Sequence, residues 1–410
     1  MPEPAPLVCM LSAAHPPADV RVVAKEGAAL AEAGWRVLHL CPAPARQDAS
    51  APLREGAAPG AAGTVPESHA GVAIRTYRRG GGWRGRLLGI PALARRAAAT
   101  GAAVLHASEP DAWAAAILAA RRNGARVVLD VHEHYPSRLD SRLPPALRPL
   151  GRGAIRLACR LAGAAADAVV VAKDGLDADF GAPERIVPVR NYAAPSAVAP
   201  RGHGPGPLTL VHLGALGRSR GAMEMLDALA LCPDGTRLRL VGRFTDNSEA
   251  DFAARAAALA LTGQVEQLGW MPHAQALEAA AGADIGLVLF QPGVENHRLA
   301  LPHKLFDCML AGLPIIAPAF AEEVAAVVRE AGCGLLVETD DPGAIAAAVA
   351  QLSDPALRAE MGARGRAAAL GRFGWRAEAA RLVRLYHRLA PQQAEPEPVG
   401  LAITLPQAAG

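Results

Sequence analysis

Residues 301–314 hold two charged side chains whose type and spacing suit ligand binding. The stretch reads LPHKLFDCMLAGLP, so Lys304 and Asp307 are three residues apart. Pro302 is typical of the first turn of a helix, Gly312 is typical of its end, and an apolar run follows. We therefore predict a short helix here, followed by a buried strand.

On such a helix, Lys304 and Asp307 would share one face close to the N-terminus. A cation beside free backbone N–H groups suits an anionic ligand, and a carboxylate suits sugar hydroxyls. A surface ion pair is the alternative that the same spacing allows. The chain has 39 arginines and only three lysines, the others being Lys25 and Lys173, so a lysine here favours a need for a compact ammonium.

A glycine-rich loop is the second candidate for phosphate binding. Residues 214–221 read GALGRSRG, between a predicted strand, Leu208–Leu213, and a predicted helix. The glycines allow close backbone approach and the arginines add positive charge. The candidate residues are Gly214, Gly217, Arg218, Arg220 and, at the end of the next predicted strand, Gly242.

Polar residues also follow a predicted strand in the first half of the chain. The strand Arg126–Val131 is followed by His132 and Glu133. Ligands of doubly wound sheets bind at the carboxyl ends of the strands, so these two residues are site candidates. A histidine held in place for structural reasons is the alternative for His132.

Predicted strands and helices alternate along most of the chain, starting with a strand at Leu7–Leu11, a helix over residues 20–33 and a strand at Trp35–Cys41. This alternation is typical of parallel sheets with helices on both faces. The first loop lacks G-x-G-x-x-G, which disfavours a Rossmann dehydrogenase. We predict an α/β protein in which two doubly wound, Rossmann-like parallel-sheet domains face a cleft.

A stretch rich in proline and glycine divides the chain. Residues 193–207 read AAPSAVAPRGHGPGP and are predicted to be a linker between domains at 1–192 and 208–372. Residues 42–70 are predicted to form a long loop, and residues 390–410 a disordered tail.

Basic residues are concentrated in the first half. Residues 1–192 contain 24 basic and 17 acidic residues, whereas the whole chain has a net charge of only +3, so we expect the first half to meet an anionic partner. Arg152, Arg156 and Arg160 lie every four residues on one face of a predicted helix. This face is a candidate for contact with phosphates or an anionic membrane, and a solvated helix face is the alternative.

Six scattered cysteines without a C-x-x-C pair indicate reduced thiols and argue against a disulfide scaffold or a zinc site. No stretch has the ~18 uninterrupted apolar residues of a membrane span, and the N-terminus lacks a signal-peptide pattern. We expect a cytoplasmic protein, with peripheral contact at the inner face of the membrane left open.

Residues 302–314 resemble the P-x-K-[LF]-[FW]-[ED]-x-x-x-A-G-x-P segment of retaining, family 4-like glycosyltransferases of the GT-B fold, the group 1 glycosyl transferases. In that family the segment grips the diphosphate and ribose of a nucleotide-sugar. The resemblance implies that Lys304 meets the diphosphate and Asp307 the ribose. The donor side is then expected to include Gly214, Gly217, Arg218, Gly242, Glu295, Lys304, Leu305 and Asp307.

The loop at residues 214–221 resembles the G-x-x-x-x-x-[KR]-G turn of the same family, in which basic residues neutralise the leaving diphosphate. Many members have an arginine after the first glycine, where this chain has Ala215, and Arg218 is a candidate replacement. Many members also carry a glutamate eight positions before the site of Asp307, where this chain has Leu299.

In the first half, the D-V-H-E stretch resembles the D-x-H-E strand end of one branch of the family, which implies that His132 faces the transferred sugar or the acceptor. Residues 104–111 resemble an H-x-H-[DE]-P turn with Ser108 in place of the second histidine. Ser108, Glu109 and Glu133 are therefore assigned to the acceptor side. The resemblance covers residues 7–389 and implies that the last helix, 373–389, crosses back to the first domain.

Together, these features predict the transfer of a hexose from a nucleotide-sugar to a glycan, lipid-linked or small-molecule acceptor, with the retention that the resemblance implies. Lys304, Arg220 and His132 are the predicted catalytic residues. The sequence shows no D-x-D and no metal-ligand cluster, so we expect cations and helix N-termini to neutralise the diphosphate without a metal or cofactor. No nucleic-acid partner is expected.

Two alternatives stay open. One is a sugar-nucleotide epimerase on the same fold, which would need acid and base carboxylates, with Glu109 and Glu133 as candidates. The other is a non-catalytic nucleotide-sugar-binding or scaffold protein, because the upstream glutamate is missing and Ser108 replaces a histidine.

Overall fold

The computed structural model describes residues 5–44, 67–140, 143–194 and 196–391. Within these ranges, strands of two sheets alternate with helices. Most of the predicted loop at 42–70 and of the predicted tail at 390–410 lies outside the described residues.

The first sheet has the spatial strand order β3-β4-β2-β1-β5-β6-β7-β8 among the described residues. Its strands are β1 (Leu7–Leu11), β2 (Arg36–Pro42), β3 (Ser68–His69), β4 (Val72–Tyr77), β5 (Val104–Ala107), β6 (Arg126–Val131), β7 (Ala168–Val171) and β8 (Ile186–Pro188). Only the short edge strand β3 pairs antiparallel within these ranges. Every residue of β5 and β7 is buried, as expected for a parallel sheet covered on both faces.

The second sheet is parallel throughout its described strands and has the order β11-β10-β9-β12-β13-β14. Its strands are β9 (Thr209–Leu213), β10 (Arg237–Val241), β11 (Val265–Gly269), β12 (Ile285–Leu287), β13 (Ile315–Pro318) and β14 (Gly334–Val337). In both sheets the order reverses near the first strand of the half, which is where doubly wound folds bind ligands.

Helices cover both faces of each sheet. They are α1 (Ala28–Glu32), α2 (Gly82–Ala98), α3 (Pro110–Asn123), α4 (Arg148–Ala165), α5 (Ala222–Leu229), α6 (Glu249–Ala258), α7 (His273–Ala281), α8 (Glu295–Arg298), α9 (His303–Leu310), α10 (Glu322–Ala331), α11 (Pro342–Gln351), α12 (Pro355–Leu370) and α13 (Trp375–Leu389). A π-helix, Val20–Gly27, runs directly into α1. The predicted α/β fold of two doubly wound sheets is confirmed.

Helix α2 was not predicted from the sequence. Its stretch is rich in arginine and contains Pro91, and only Leu93, Ala94 and Ala97 of the helix are buried. So short an apolar face, on a helix with a proline inside it, leaves little 3.6-residue periodicity to detect.

The predicted linker is anchored on the second half of the chain. The guanidinium of Arg201 donates to Asp284 (3.0 Å), and Nε2 of His203 lies 2.9 Å from the carbonyl oxygen of Gly312. These contacts tie the stretch before β9 to the start of β12 and to the end of α9. The exact domain limits stay a prediction.

Helix α13 packs against the first sheet, although it follows the second sheet in sequence. Leu382, Leu385 and Tyr386 are buried in the same apolar cluster as Val8 of β1 and Val170 of β7. The hydroxyl of Tyr386 lies 2.7 Å from Nδ1 of the buried His106. The end of the chain therefore forms part of the core beneath the first sheet.

We expect Leu382→Ala to lower the stability of the protein by about 2–5 kcal/mol, because it opens a cavity in this core. Arg384→Ala, on the exposed face of the same helix, is the matched control and should change stability by less than about 0.5 kcal/mol. Thermal unfolding of the full chain measures both changes. Equal effects of the two substitutions would show that α13 does not depend on this packing.

Candidate active site

A cleft of about 1590 Å³ lies between the carboxyl ends of the two sheets. From the first half it is lined by residues that follow β1, β6 and β7, and from the second half by residues that follow β9, β10 and β12 and by the start of α9. The titratable side chains of the lining include His15, His132 and Lys173 from the first half. They include Arg220 and Lys304 from the second half.

Lys304, the second residue of α9, reaches the floor of the cleft and is almost entirely buried. Its Nζ lies 2.8 Å from Nε2 of His212 on β9. Burial and the neighbouring Lys304 charge keep the pKa of His212 well below its usual range, so this imidazole can accept a hydrogen bond from the ammonium. Burial, and then the charge of Arg220, also hold the pKa of Lys304 well below its usual value.

Arg220 lies beside Lys304 at the end of the glycine-rich loop. Its guanidinium carbon is 5.3 Å from the centroid of the Phe290 ring, and Nζ of Lys304 is 5.9 Å from the same centroid. Burial lowers the pKa of Arg220 from its ordinary value. Among the described residues, neither cation forms a salt bridge with a carboxylate. The side chains of these two cations contact the Phe290 ring and the His212 imidazole rather than a carboxylate. Desolvated cations in such surroundings favour the binding of an anion.

Asp307 lies one turn further along α9, on the same face as Lys304. The two residues do not pair with each other in the described structure, so the surface ion pair is not formed. Oδ1 of Asp307 instead accepts a hydrogen bond from Nε2 of His273 (3.0 Å), which raises the pKa of His273. Asp307 borders the cleft, in a position to receive ligand hydroxyls.

Glycines bring the strand ends of the second sheet close together. Gly242 has φ 149°, and a Cβ at this position would lie 1.8 Å from the carbonyl oxygen of Gly214. Gly214 in turn lies against the Lys304 side chain, with an added Cβ 4.0 Å from Cε. Both glycines border the cleft, and substitution of Gly242 would push the two loops apart.

All three lysines of the chain are buried at or next to the cleft. Nζ of Lys25 lies 3.3 Å from Oδ1 of Asn191 and 3.2 Å from Nδ1 of His303, the residue before Lys304. Burial lowers the pKa of Lys25 to about 7 and that of Lys173 to about 8. Lysine in this chain is therefore confined to desolvated positions around the cleft.

On the first-domain side, two histidines meet edge to face. Nε2 of His15 and Nε2 of His132 are 3.1 Å apart, Nδ1 of His15 lies 2.9 Å from Asp19, and Nδ1 of His132 lies 3.3 Å from Asp130. Asp130 also accepts hydrogen bonds from the buried guanidinium of Arg21. The chain Asp19–His15–His132–Asp130 fixes the orientation of both rings at the cleft wall.

The charge of His15 is controlled by its acidic neighbours. Burial alone would lower its pKa, but the hydrogen bond with Asp19 and the charges of Asp19, Glu109 and Asp130 outweigh it and raise the pKa to about 9. A protonated His15 donates from both ring nitrogens, and Nε2 of His132 is then the acceptor. These hydrogen bonds agree with the alternative that His132 has a structural role. The His132 ring also lines the cleft, which agrees with a role in ligand binding.

Ser108 and Glu109, which were predicted to contact the acceptor, lie behind the cleft wall. Ser108 is fully buried, and Glu109 accepts hydrogen bonds from the backbone N–H groups of Ala13 (2.7 Å), Ala14 (2.8 Å) and His15 (3.1 Å). The described lining of the cleft includes neither of them. Glu109 instead holds the loop after β1 that presents His15.

Three donor-side candidates are also not brought to the cleft lining among the described residues. The guanidinium of Arg218 pairs with Asp251 (2.5 Å) on the outer surface, and the backbone N–H of Arg218 donates to Asp246. Gly217 packs against that same Asp246, and Leu305 points into the core. Of the two arginines in the loop, the structure therefore brings only Arg220 beside Lys304.

Glu133 and Glu295 do border the cleft, but both are paired. Glu133 accepts from Arg138 (2.5 Å), and Glu295 accepts from Arg298 (2.6 Å) on its own helix, α8. Each carboxylate is therefore partly neutralised by a neighbour from its own side of the cleft.

The arginine face of α4 is partly neutralised as well. Arg152 pairs with Asp140 (2.5 Å) and Arg156 with Asp179 (3.1 Å), while Arg160 is exposed. Across the described ranges, every helix is too short or too polar to cross a bilayer. Contact of these arginines with an anionic membrane stays a prediction.

Glu26, His106 and Asp130 form a group of potential metal ligands beneath the first sheet. Arg21 donates into this group, 2.8 Å from Glu26 and 2.7 Å from Asp130, so its guanidinium already supplies the positive charge. The three residues come from separate elements, so no sequence spacing shows the group. This donor set fits an ion-pair network rather than a cation site.

Sequence analysis missed His15, Asp19, His212 and His273. The first two occupy the loop after β1, four residues apart and at the carboxyl end of a strand, which was the available signal. His212 lies inside a buried strand, where a polar residue is itself unusual. His273 carried no local signal, because its partner Asp307 is 34 residues away.

Solved structures with the same architecture are glycosyltransferases of the GT-B fold. Sucrose-phosphate synthase from Thermosynechococcus elongatus superposes with a TM-score of 0.73 at 19% identity, over 94% of this chain and 99% of that chain. HepE from Anabaena in complex with UDP-glucose gives 0.64 at 16% identity, over 94% and 100%. A glycosyltransferase from Rickettsia africae gives 0.59 at 12% identity, over 94% and 98%. No curated protein matches the chain.

Two family models match the chain in succession. The model for Glycosyltransferase Family 4 matches residues 20–191, and the model for Glycosyl transferases group 1 matches residues 207–354. The first match spans the two histidines and the second spans the glycine-rich loop and α9. The chain belongs to the group 1 glycosyl transferases.

We expect Asp19→Asn to lower the pKa of His15 by about one pH unit or more, because the charge that opposes burial is removed. Titration of the His15 ring by NMR measures this. Since the folded pKa of about 9 exceeds the unfolded value, protonation of His15 stabilises the wild-type fold below pH ~6.5, and that contribution is lost as the pH rises towards 9.

The asparagine keeps a side-chain oxygen that can cap the N–H groups of Arg21 and Val22, so the π-helix should persist. An unchanged titration of His15 in the variant would show that Asp19 does not control its charge.

Proposed function

We propose that the chain transfers a hexose from a nucleotide-sugar to an acceptor with retention at the anomeric carbon, and that it does so without a metal or cofactor. The observation that carries this proposal is the pair of cations at the cleft, the buried Lys304 and the half-buried Arg220, neither of which forms a salt bridge with a carboxylate among the described residues. A buried cation needs an anionic partner, and a diphosphate supplies one.

The chemical need is to neutralise the charge that builds on the leaving diphosphate as its bond to the sugar breaks. Lys304 and Arg220 are fixed by Phe290 and His212, so little reorganisation is required. Both lie at the start of helices, α9 and α5, whose N–H groups add to the positive potential. The leaving phosphate can then help to deprotonate the acceptor.

Asp307 would bind ribose hydroxyls beside the diphosphate. His273 holds one of its oxygens, which leaves the other for the ligand. The presence of UDP-glucose in the HepE structure supports a nucleotide-sugar as the donor class. His132, with His15 behind it, would face the transferred sugar or the acceptor from across the cleft.

The epimerase alternative finds less support. Its two candidate carboxylates are engaged: Glu109 receives three backbone N–H groups, and Glu133 pairs with Arg138. Neither of these two carboxylates is therefore free to act as an acid or base on a sugar carbon.

Incubation with labelled nucleotide-sugars and a membrane-lipid extract tests the proposed reaction. We expect release of free nucleotide that depends on the acceptor, an unchanged anomeric configuration by NMR, and no loss of rate in EDTA. Isomerisation of the sugar without nucleotide release would support the epimerase, and binding without turnover would support a scaffold. Inversion at the anomeric carbon would contradict retention alone.

We expect Arg220→Ala to lower kcat/KM by about 10²–10³-fold, because one of two cations on the diphosphate is lost. Arg218→Ala, two residues away in the same loop, is the matched control and should stay within about threefold, since its guanidinium pairs with Asp251 at the surface. Equal effects of the two substitutions would contradict the assignment of Arg220.

Lys304→Ala should abolish turnover, because the second cation is removed from the same site. Its thermal unfolding is compared with that of the wild type to confirm that the fold is intact. Near-normal activity would rule out contact of Lys304 with the diphosphate.

A further inference from the structure

Large apolar side chains face solvent on two helices of the first half. Of the twelve such side chains that the described ranges expose most, seven lie on α2, on α4 or directly before α4. They are Trp83 (65%), Leu87 (55%), Leu88 (81%), Leu147 (50%), Leu150 (74%), Leu157 (58%) and Leu161 (64%). Isolated exposed leucines are ordinary, but several large apolar side chains on the same helix are typical of an interaction surface.

On α4 these residues form a stripe. Leu150, Leu157 and Leu161 recur at intervals of seven and four, which places them on one side of the helix. The side that packs on the first sheet carries Cys159 and Gly163, and Cys159 is about 200° around the helix from Leu157. The apolar stripe therefore points directly away from the core and packs on no described element.

The charged residues of α2 and α4 themselves have one sign, whereas the neighbouring carboxylates Asp111, Asp140 and Asp179 each pair with an arginine of these helices. Residues 68–108 and 141–166, which contain α2 and α4, include no aspartate or glutamate. Arg84 lies over the exposed Trp83 ring (5.4 Å), and Arg160 flanks the leucine stripe without a salt bridge in the described structure. A second copy of the chain would bring arginines against arginines here, whereas an anionic surface complements them.

We propose that α2 and α4 dock the protein on an anionic lipid bilayer. Trp83 and the leucines enter the boundary between headgroups and acyl chains, and the unpaired arginines meet lipid phosphates. Arg152 and Arg156 contribute less than their position suggests, because each already pairs with an aspartate. The apolar stripe thus supplies most of the attachment.

The docking surface adjoins the cleft. Arg86 near the start of α2 and Arg148 at the start of α4 both line the cleft. A bilayer lying on these helices places its headgroups at the mouth of the site. If the proposed transfer is correct, this inference names the acceptor class, a lipid-linked acceptor presented from the membrane.

Sedimentation of the full chain with vesicles tests the docking without donor or turnover. We expect binding to vesicles of phosphatidylcholine with phosphatidylglycerol, and weaker binding to phosphatidylcholine alone. The double substitution Leu157→Glu and Leu161→Glu should reduce binding to the anionic vesicles by at least about tenfold, because it removes apolar area and adds repulsion.

Leu231→Glu with Leu370→Glu is the matched control, since these leucines are exposed to a similar degree (62% and 58%) outside α2 and α4. Thermal unfolding and turnover of a soluble acceptor check that both double variants remain folded, and vesicle binding should persist in the control. Failure of the wild type to sediment, or an equal loss in the control, would overturn the proposal. So would a dimer in solution that Leu157→Glu with Leu161→Glu dissociates.

The docking and the transfer can fail separately. A chain that binds vesicles but releases no nucleotide would contradict the proposed reaction and support the docking. A chain that glycosylates a soluble acceptor and ignores anionic vesicles would contradict the docking alone.

Discussion

Positive charge held out of water at the centre of the cleft is the constraint on which the rest of the site depends. Lys304 is almost entirely buried and Arg220 is half-buried, and among the described residues their side chains contact Phe290 and the neutral His212 rather than a carboxylate. Desolvation of two cations is costly, and an anion bound beside them offsets that cost. The surrounding features can be understood as means of holding these two cations in place.

The same constraint explains how the two halves are joined. Lys25 reaches from the π-helix to Asn191 at the end of the first half and to His303, the residue before Lys304. Across the cleft, Glu109 fixes the loop that carries His15 through three backbone N–H groups. Elements far apart in sequence therefore position the opposed walls of the cleft, and α13 completes the core beneath the first wall.

Much of the fold could be predicted because apolar strands and periodic helices are local signals. Strands β1 and β6 match their predicted limits, whereas α2 was missed because Pro91 and a short apolar face obscure its periodicity. The site was predictable only in part. The shared face of Lys304 and Asp307 follows from helix geometry, but their histidine partners lie 92 and 34 residues away, where sequence spacing carries no information.

Composition shows which charges a segment contains, and packing decides which of them remain free. Arg218 and Arg220 are two residues apart in the same loop, yet the structure pairs the first with Asp251 and places the second at the cleft. On α4, Arg152 and Arg156 are likewise neutralised, because they form salt bridges with Asp140 and Asp179. The leucine stripe of α4 stays exposed to solvent. Burial of its apolar area in a bilayer would therefore contribute more to membrane binding than the arginines, whose charge is paired or screened by salt.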